Sequence, residues 1–133
     1  MNYWILCIPR EDIEHCMKIG IFGLERRHFI TKVTQGDKVV CCASKGDWRV
    51  LAVGHATSDY YVDTEKVFLK SGDFPDRFNF SSEKLSTEID LISLIDRLSF
   101  VTQLPHWRLY FRNGIAKMSK QDWELITQQM ITT

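Results

Sequence analysis

Two stretches of this chain carry residue types that could hold a planar, charged ligand. The first is Gly20-Ile21-Phe22-Gly23-Leu24-Glu25-Arg26-Arg27-His28. Glycine permits positive φ and close backbone approach. An aromatic held between two glycines offers a flat wall on which a base can stack. The basic triplet that follows could hold a phosphate. The alternative reading is structural: Gly20 caps a helix, Phe22 plugs the core, and the arginines solvate a helix face. The second stretch, Leu104-Pro105-His106-Trp107-Arg108-Leu109-Tyr110-Phe111-Arg112-Asn113-Gly114, interleaves aromatics with arginines. That pattern suits stacking on bases and pairing with phosphates. Equally, Trp107 and Phe111, four apart, could be core, with Arg108 and Arg112 facing out.

No catalytic constellation accompanies these stretches. His15, His28, His55 and His106 are scattered, without a second metal ligand at i+3 or i+4. No G-x-S-x-G elbow and no phosphate-binding P-loop is present. Cys7, Cys16, Cys41 and Cys42 lie in apolar or amphipathic runs without zinc spacing. Cys41 and Cys42 are adjacent in a predicted strand and point to opposite faces. All four are expected to be buried, reduced thiols in a reducing cytoplasm, with no disulfide, metal or cofactor. The sequence therefore favours a binding module over an enzyme.

With 133 residues, the chain can build one core in one domain. Seventeen basic and seventeen acidic residues cancel, so no global field draws it to nucleic acid. Any such binding needs a local basic patch. The amino-terminal apolar run from Tyr3 to Ile8 is too short to span a membrane and lacks a preceding positive region. Membrane attachment is not expected, and a cytoplasmic location is.

The elements that must position these residues follow from periodicity. Tyr3 to Ile8 and Lys38 to Ala43 read as strands buried on both faces. Lys45-Gly46-Asp47 is a tight turn into a returning strand, Trp48 to His55, and Gly54 marks a bulge or bend. Arg10 to Ile19 carries apolar residues at helical spacing and ends at Gly20. Glu25 to Val33 is expected to form a second short helix with Phe29 and Val33 inward. Asp59 to Asp76 reads as a long connection. Arg77 to Phe80 and Leu85 to Ile89 have the character of two short strands. Asp90 is placed to cap a helix over Leu91 to Leu98. Ser119 opens a last helix through a capping box with Asp122, and Trp123, Ile126 and Met130 form its inward stripe. Closely spaced short strands predict an α+β fold: a small, strongly bent sheet or barrel with short helices packed at its ends.

Taken in order, several of these landmarks resemble an EVE domain. Tyr3-Trp4-Ile5 is similar to the family's first strand, Ile21-Phe22-Gly23-Leu24 to the segment after its first helix, and Gly36-Asp37 to the turn before its next buried strand. Asp96-Arg97-Leu98-Ser99-Phe100 and Trp107 with Phe111-Arg112-Asn113-Gly114 resemble its closing motifs. The resemblance runs from Tyr3 to about Ile126. It implies a PUA-like barrel related to YTH domains and a role in drawing a modified base of DNA or RNA into an aromatic-lined pocket. By the same resemblance, Phe22 with Gly23 is a pocket wall where the family more often has Trp, and Phe68 falls at a second wall. Trp4 either lines the pocket floor or fills the core, and Trp107 belongs to the same set. Arg26, Arg27, Lys32, Arg108 and Arg112 would hold flanking phosphates. Ile8-Pro9-Arg10 replaces the Ser-Glu-Pro of many EVE domains, which implies a divergent, prokaryote-like branch. Such domains often work beside a nuclease or other effector supplied by another chain. Two further readings stay open: a PUA-like binder of structured RNA without a modification requirement, and a sensor of a small planar metabolite.

Overall fold

The computed structural model describes residues 1–25 and 29–130. Among the described residues, β1 (Tyr3–Ile8), β2 (Ile21–Leu24), β3 (Lys38–Ala43), β4 (Arg49–Ala56), β5 (Tyr61–Val62), β6 (Asp76–Asp90) and β7 (Ile115–Met118) form a mixed sheet in the order β2-β6-β4-β3-β1-β7, with β5 also on β6. β1 (Tyr3–Ile8) runs parallel to β3 (Lys38–Ala43) and antiparallel to β7 (Ile115–Met118). β3 pairs antiparallel with β4 (Arg49–Ala56), with an irregularity between Cys41 and Cys42. The three buried runs expected to share a sheet therefore do so. Both faces of this centre are covered: Trp4, Leu6, Val39, Cys41 and Leu51 face one core, and Ile5, Cys7, Val40, Cys42 and Val50 face another. That is why β1 and β3 read as unbroken apolar runs rather than alternating ones. Cys41 and Cys42 fall into different cores, as strand alternation requires.

α1 (Arg10–Ile19) follows Pro9 and ends at Gly20, whose φ of 72° lets its N–H reach the Cys16 carbonyl at 2.8 Å. β2 (Ile21–Leu24) then pairs with the start of β6. At the carboxyl end, the Ser119 side chain accepts from the Asp122 N–H, and the Asp122 carboxylate accepts from the Ser119 N–H, completing the expected capping box of α2 (Lys120–Gln128). Asp122 also accepts from both the backbone and hydroxyl of Ser99, tying α2 to the preceding loop.

Several expectations are corrected. Arg77–Phe80 and Leu85–Ile89 are parts of one strand, β6 (Asp76–Asp90), with β5 (Tyr61–Val62) beside its start. The chain crosses from β2 and β5 onto β4 without a turn, and the β4–β6 register shifts between Val50 and Ala52. Of the second helix expected over Glu25 to Val33, Arg26 to His28 lie outside the described residues, and Phe29–Lys32 is a 3₁₀ turn; Val33 is buried as expected, but Phe29 is exposed and Ile30 is buried instead. After Asp90 comes a 3₁₀ segment, Ile92–Arg97, rather than an α-helix; the Asp90 carboxylate accepts from the Ile92 N–H. In α2, Ile126 is buried but Met130, just beyond the helix, is exposed.

The sheet curls into a half-barrel whose two edges, β2 and β7, approach each other. At Gly114, just before β7, a methyl group would lie 2.9 Å from the Leu24 side chain at the end of β2. No residue with a side chain fits there without moving Leu24. This seam, together with the end of β1, defines the surface described next.

Candidate nucleic-acid interface

Ile8 and Pro9 end β1 and form a ridge between two hollows. On one side is a cavity of about 90 Å³, bounded by Gly23 and Leu24 of β2, by Asp12, His15 and Cys16 of α1, and by Phe68 and Phe74. Phe68 comes from the long connection between β5 and β6. It reaches β2 because Gly23 has no side chain: a methyl there would lie 2.7 Å from the Phe68 ring and 2.9 Å from the Phe74 carbonyl oxygen. Phe68 and Phe74 meet edge to face at 5.6 Å.

Arg77 fixes this arrangement. Its side chain is 1% exposed at the start of β6. The guanidinium donates to the carbonyls of Phe74 at 3.0 Å and Asp73 at 2.8 Å, and also to that of Glu65. It lies 5.0 Å from the Phe68 ring centroid. One planar donor set thus ties both ends of the loop and supports the aromatic wall between them. Phe74 adopts φ 43°, a conformation unfavourable for a bulky residue and held here by these contacts. At the rim, Lys70 pairs with Asp12 at 3.0 Å. The His15 ring donates from Nε2 to the Val67 carbonyl at 2.7 Å, which fastens the same loop to α1.

Cys16 is the thiol that lines the cavity. Burial pushes the Cys16 thiol up to about 12, so it stays protonated near neutral pH. Burial also raises Cys41, and contact with the Cys7 thiol together with burial raises Cys42. All four cysteines are buried thiols. Among the described residues no group of three His, Cys, Asp or Glu is arranged to hold a metal ion. No helix among them is long and apolar enough to cross a membrane.

Across the ridge lies a cavity of about 250 Å³, where Lys45, Arg108 and Arg112 converge around Trp48, Phe111 and Gly114. Lys45 comes from the β3–β4 turn, at φ 49°. The two arginines come from the 3₁₀ segment Leu104–Phe111 and the residue after it. All three are exposed, and among the described residues none has a carboxylate within 4 Å. Arg10, by contrast, is committed: it makes a paired contact with Glu88 at 2.9 and 2.8 Å and a further one with Asp47 at 3.1 Å.

The predicted site residues separate into groups. Gly23 and Phe68 come together in the first cavity, and Arg108 and Arg112 in the second. Phe22 does not join them. It is fully buried against Phe78 at 5.7 Å, because alternation along β2 turns it inward when Gly23 faces Phe68. Trp4 is also core, its indole N–H donating to Asp37 at 2.9 Å. Trp107 lines neither hollow. It packs edge-on to Trp48 at 4.8 Å and carries the Arg108 guanidinium over its ring at 4.5 Å. Lys32 is exposed on its 3₁₀ turn and borders neither hollow. Arg26 and Arg27 lie outside the described residues. Sequence reasoning missed Phe74, Arg77, Lys45 and Trp48. The one available signal was an arginine opening a strand after an acidic loop, and it does not say which carbonyls that arginine binds.

The curled mixed sheet has counterparts among solved structures. The fold is shared with YTH domains. The Mmi1 YTH domain matches with a TM-score of 0.68 over 100% of both chains, at 14% identity. Human THYN1, solved in complex with 5-methylcytosine-containing DNA, matches with a TM-score of 0.69 over 98% of each chain, at 12% identity. The PUA-like α+β architecture expected from the EVE resemblance is therefore the architecture of this chain. No protein-family model matches the sequence. By sequence, the chain is 24% identical to the UPF0310 protein PH1033 of Pyrococcus horikoshii over 146 residues, covering 98% of this chain and all of the relative.

In this YTH-like fold, Gly23→Ala is a direct probe of the aromatic wall. The new methyl must displace the Phe68 ring or the Arg77-held Phe74 carbonyl. We expect a loss of about 1–3 kcal/mol in stability from overpacking, read by urea unfolding. The displaced ring should show in a crystal structure of the variant. A wild-type unfolding midpoint would mean that the loop does not press on β2 as described.

Proposed function

We propose that this protein is a non-catalytic nucleic-acid-binding module that captures one unstacked, modified base in the hollow walled by Phe68, Phe74 and Leu24, with Arg108 and Arg112 holding flanking phosphate. The observation that carries the reading is the pairing of an aromatic hollow with a cationic one across the Ile8–Pro9 ridge. The structural likeness to a protein solved with methylated DNA supports it.

The physics is a balance. Taking a base out of its stack costs a few kcal/mol. Stacking on Phe68 returns about 1–3 kcal/mol. A methyl group buried against Leu24 and Phe74 adds about 0.8 kcal/mol. Phosphate contacts position the strand without specifying sequence. Because the chain has no net charge, affinity depends on the local cations and is sensitive to salt.

The test separates the two hollows. Binding of single-stranded oligonucleotides with and without one 5-methylcytosine is measured across a salt series. Phe68→Ala should cost about 1–3 kcal/mol and abolish preference for the modified base. The double change Arg108→Ala and Arg112→Ala should weaken both oligonucleotides alike. If three cations neutralise phosphates, the log–log salt slope should fall from about −2 to about −0.7. A ligand whose affinity ignores salt would instead favour a planar-metabolite sensor.

A further inference from the structure

We infer that the interface is a three-place track for a single strand, running from the Phe68 cavity past the three cations to a third hollow against Leu109 and Tyr110. This rests on the base-capture reading for its first place only. The third hollow, of about 440 Å³, lies on the outer face of the Leu104–Phe111 segment and is lined by Gln103, His106, Leu109, Tyr110 and Arg112. It shares Arg112 with the cationic cavity, which in turn shares Ile8 and Pro9 with the Phe68 cavity. Each hollow thus shares lining residues with the next, and the cations line the middle one.

Each end offers an apolar face. Leu109 is 54% exposed and Leu104 of the same segment 48%, which gives the segment an apolar outer surface. The Tyr110 ring is held in place: its hydroxyl pairs with the Thr102 hydroxyl at 2.9 Å and accepts from the Gln103 N–H at 3.1 Å. The ring also packs edge to face on Phe100 at 6.3 Å. A fixed aromatic beside an exposed leucine and an arginine is a platform for a second base. The cations in between carry the charge complementarity. Lys45, Arg108 and Arg112 have no carboxylate partner among the described residues, and all three line the middle hollow. In a chain of zero net charge, three cations lining the hollow between two apolar ones match a backbone of alternating base and phosphate. The recessed hollows require bases that are not stacked in a duplex.

The experiment is a length series. 5-Methyldeoxycytidine monophosphate is extended by one to four thymidines, on the 5′ side in one set and the 3′ side in the other, and affinity is measured by competition against a labelled strand. We expect extension on one side to raise affinity about tenfold per nucleotide for two nucleotides and then stop. Extension on the other side should change little. With Leu109→Asp the gain should stop after the first added nucleotide. Equal affinity for the monophosphate and all extended strands overturns the track and leaves base capture standing. Length gains that persist when cytosine replaces 5-methylcytosine support the track and remove the modified-base requirement. A fully paired duplex binding as tightly as the single strand also overturns the track.

Discussion

Phe22→Ala should cost about 3–5 kcal/mol of folding stability while leaving the affinity of the still-folded protein unchanged. The ring is completely buried, 5.7 Å from Phe78, in a core that also holds Trp4, Leu6, Ile13 and Ile30. Removing it leaves a cavity that β2, pinned by its pairing to β6, cannot close. A domain of this size has about 5–15 kcal/mol to lose, so the melting temperature should fall by about 10–20 °C. Phe68→Ala should do the reverse, with a small change in stability and a large change in binding, because Phe68 is only partly buried on a surface loop. Measuring unfolding and affinity on both variants assigns each phenylalanine. A Phe22→Ala protein with a wild-type melt and lost affinity would put that ring on the ligand.

Asp37→Ala should destabilise the fold by a similar amount, about 3–5 kcal/mol, and the part of this cost that comes from the charge should be lost in acid. Asp37 is 1% exposed, just before β3. Its carboxylate accepts from the Asn2 N–H at 2.9 Å, the Trp4 indole at 2.9 Å, and the Thr34 N–H and hydroxyl at 3.0 Å. Burial alone would raise its pKa, but the donors from Asn2, Trp4 and Thr34 outweigh burial and hold the carboxyl below the usual range. A depressed pKa stabilises the fold above the unfolded value of about 3.9, and this contribution is lost as pH falls through the folded value. Wild type and variant should therefore differ most in urea unfolding at pH 7, with a gap that is narrower at pH 3 but does not close, because the stranded indole is independent of pH. An equal gap at both values would mean that the charge contributes nothing. The alanine also strands the Trp4 indole N–H in the core, which is why the loss is large.

Local chemistry made several parts of this structure legible. The capping box of α2 needs only Ser119 and Asp122 at their spacing. The left-handed Gly20 after α1 is a local requirement of the helix end. The Lys45-Gly46-Asp47 turn joins two apolar runs that pair whatever surrounds them. The merging of two expected strands into β6 was not legible. Its polar middle from Ser81 to Lys84 is carried through by pairing with β4, a partner distant in sequence. Likewise, the inward face expected for Phe29 and Val33 held only at Val33, because tertiary packing selected Ile30 for burial and left Phe29 outside.

The sequence by itself determined that the chain would form a bent sheet with buried thiols, that Arg108 and Arg112 would share a face, and that a glycine beside an aromatic marked a close approach. Only the tertiary structure decided which aromatic faces a ligand. Phe22 and Gly23 are neighbours, and alternation guarantees only that they point opposite ways. Which way is inward depends on the curl of the sheet and on β6 lying alongside. Phe68 becomes a wall because Arg77, nine positions later, gathers the carbonyls of its loop and presses the ring onto Gly23. Backbone carbonyls are the same in every sequence, so the partners of that guanidinium cannot be read before the chain has folded around it.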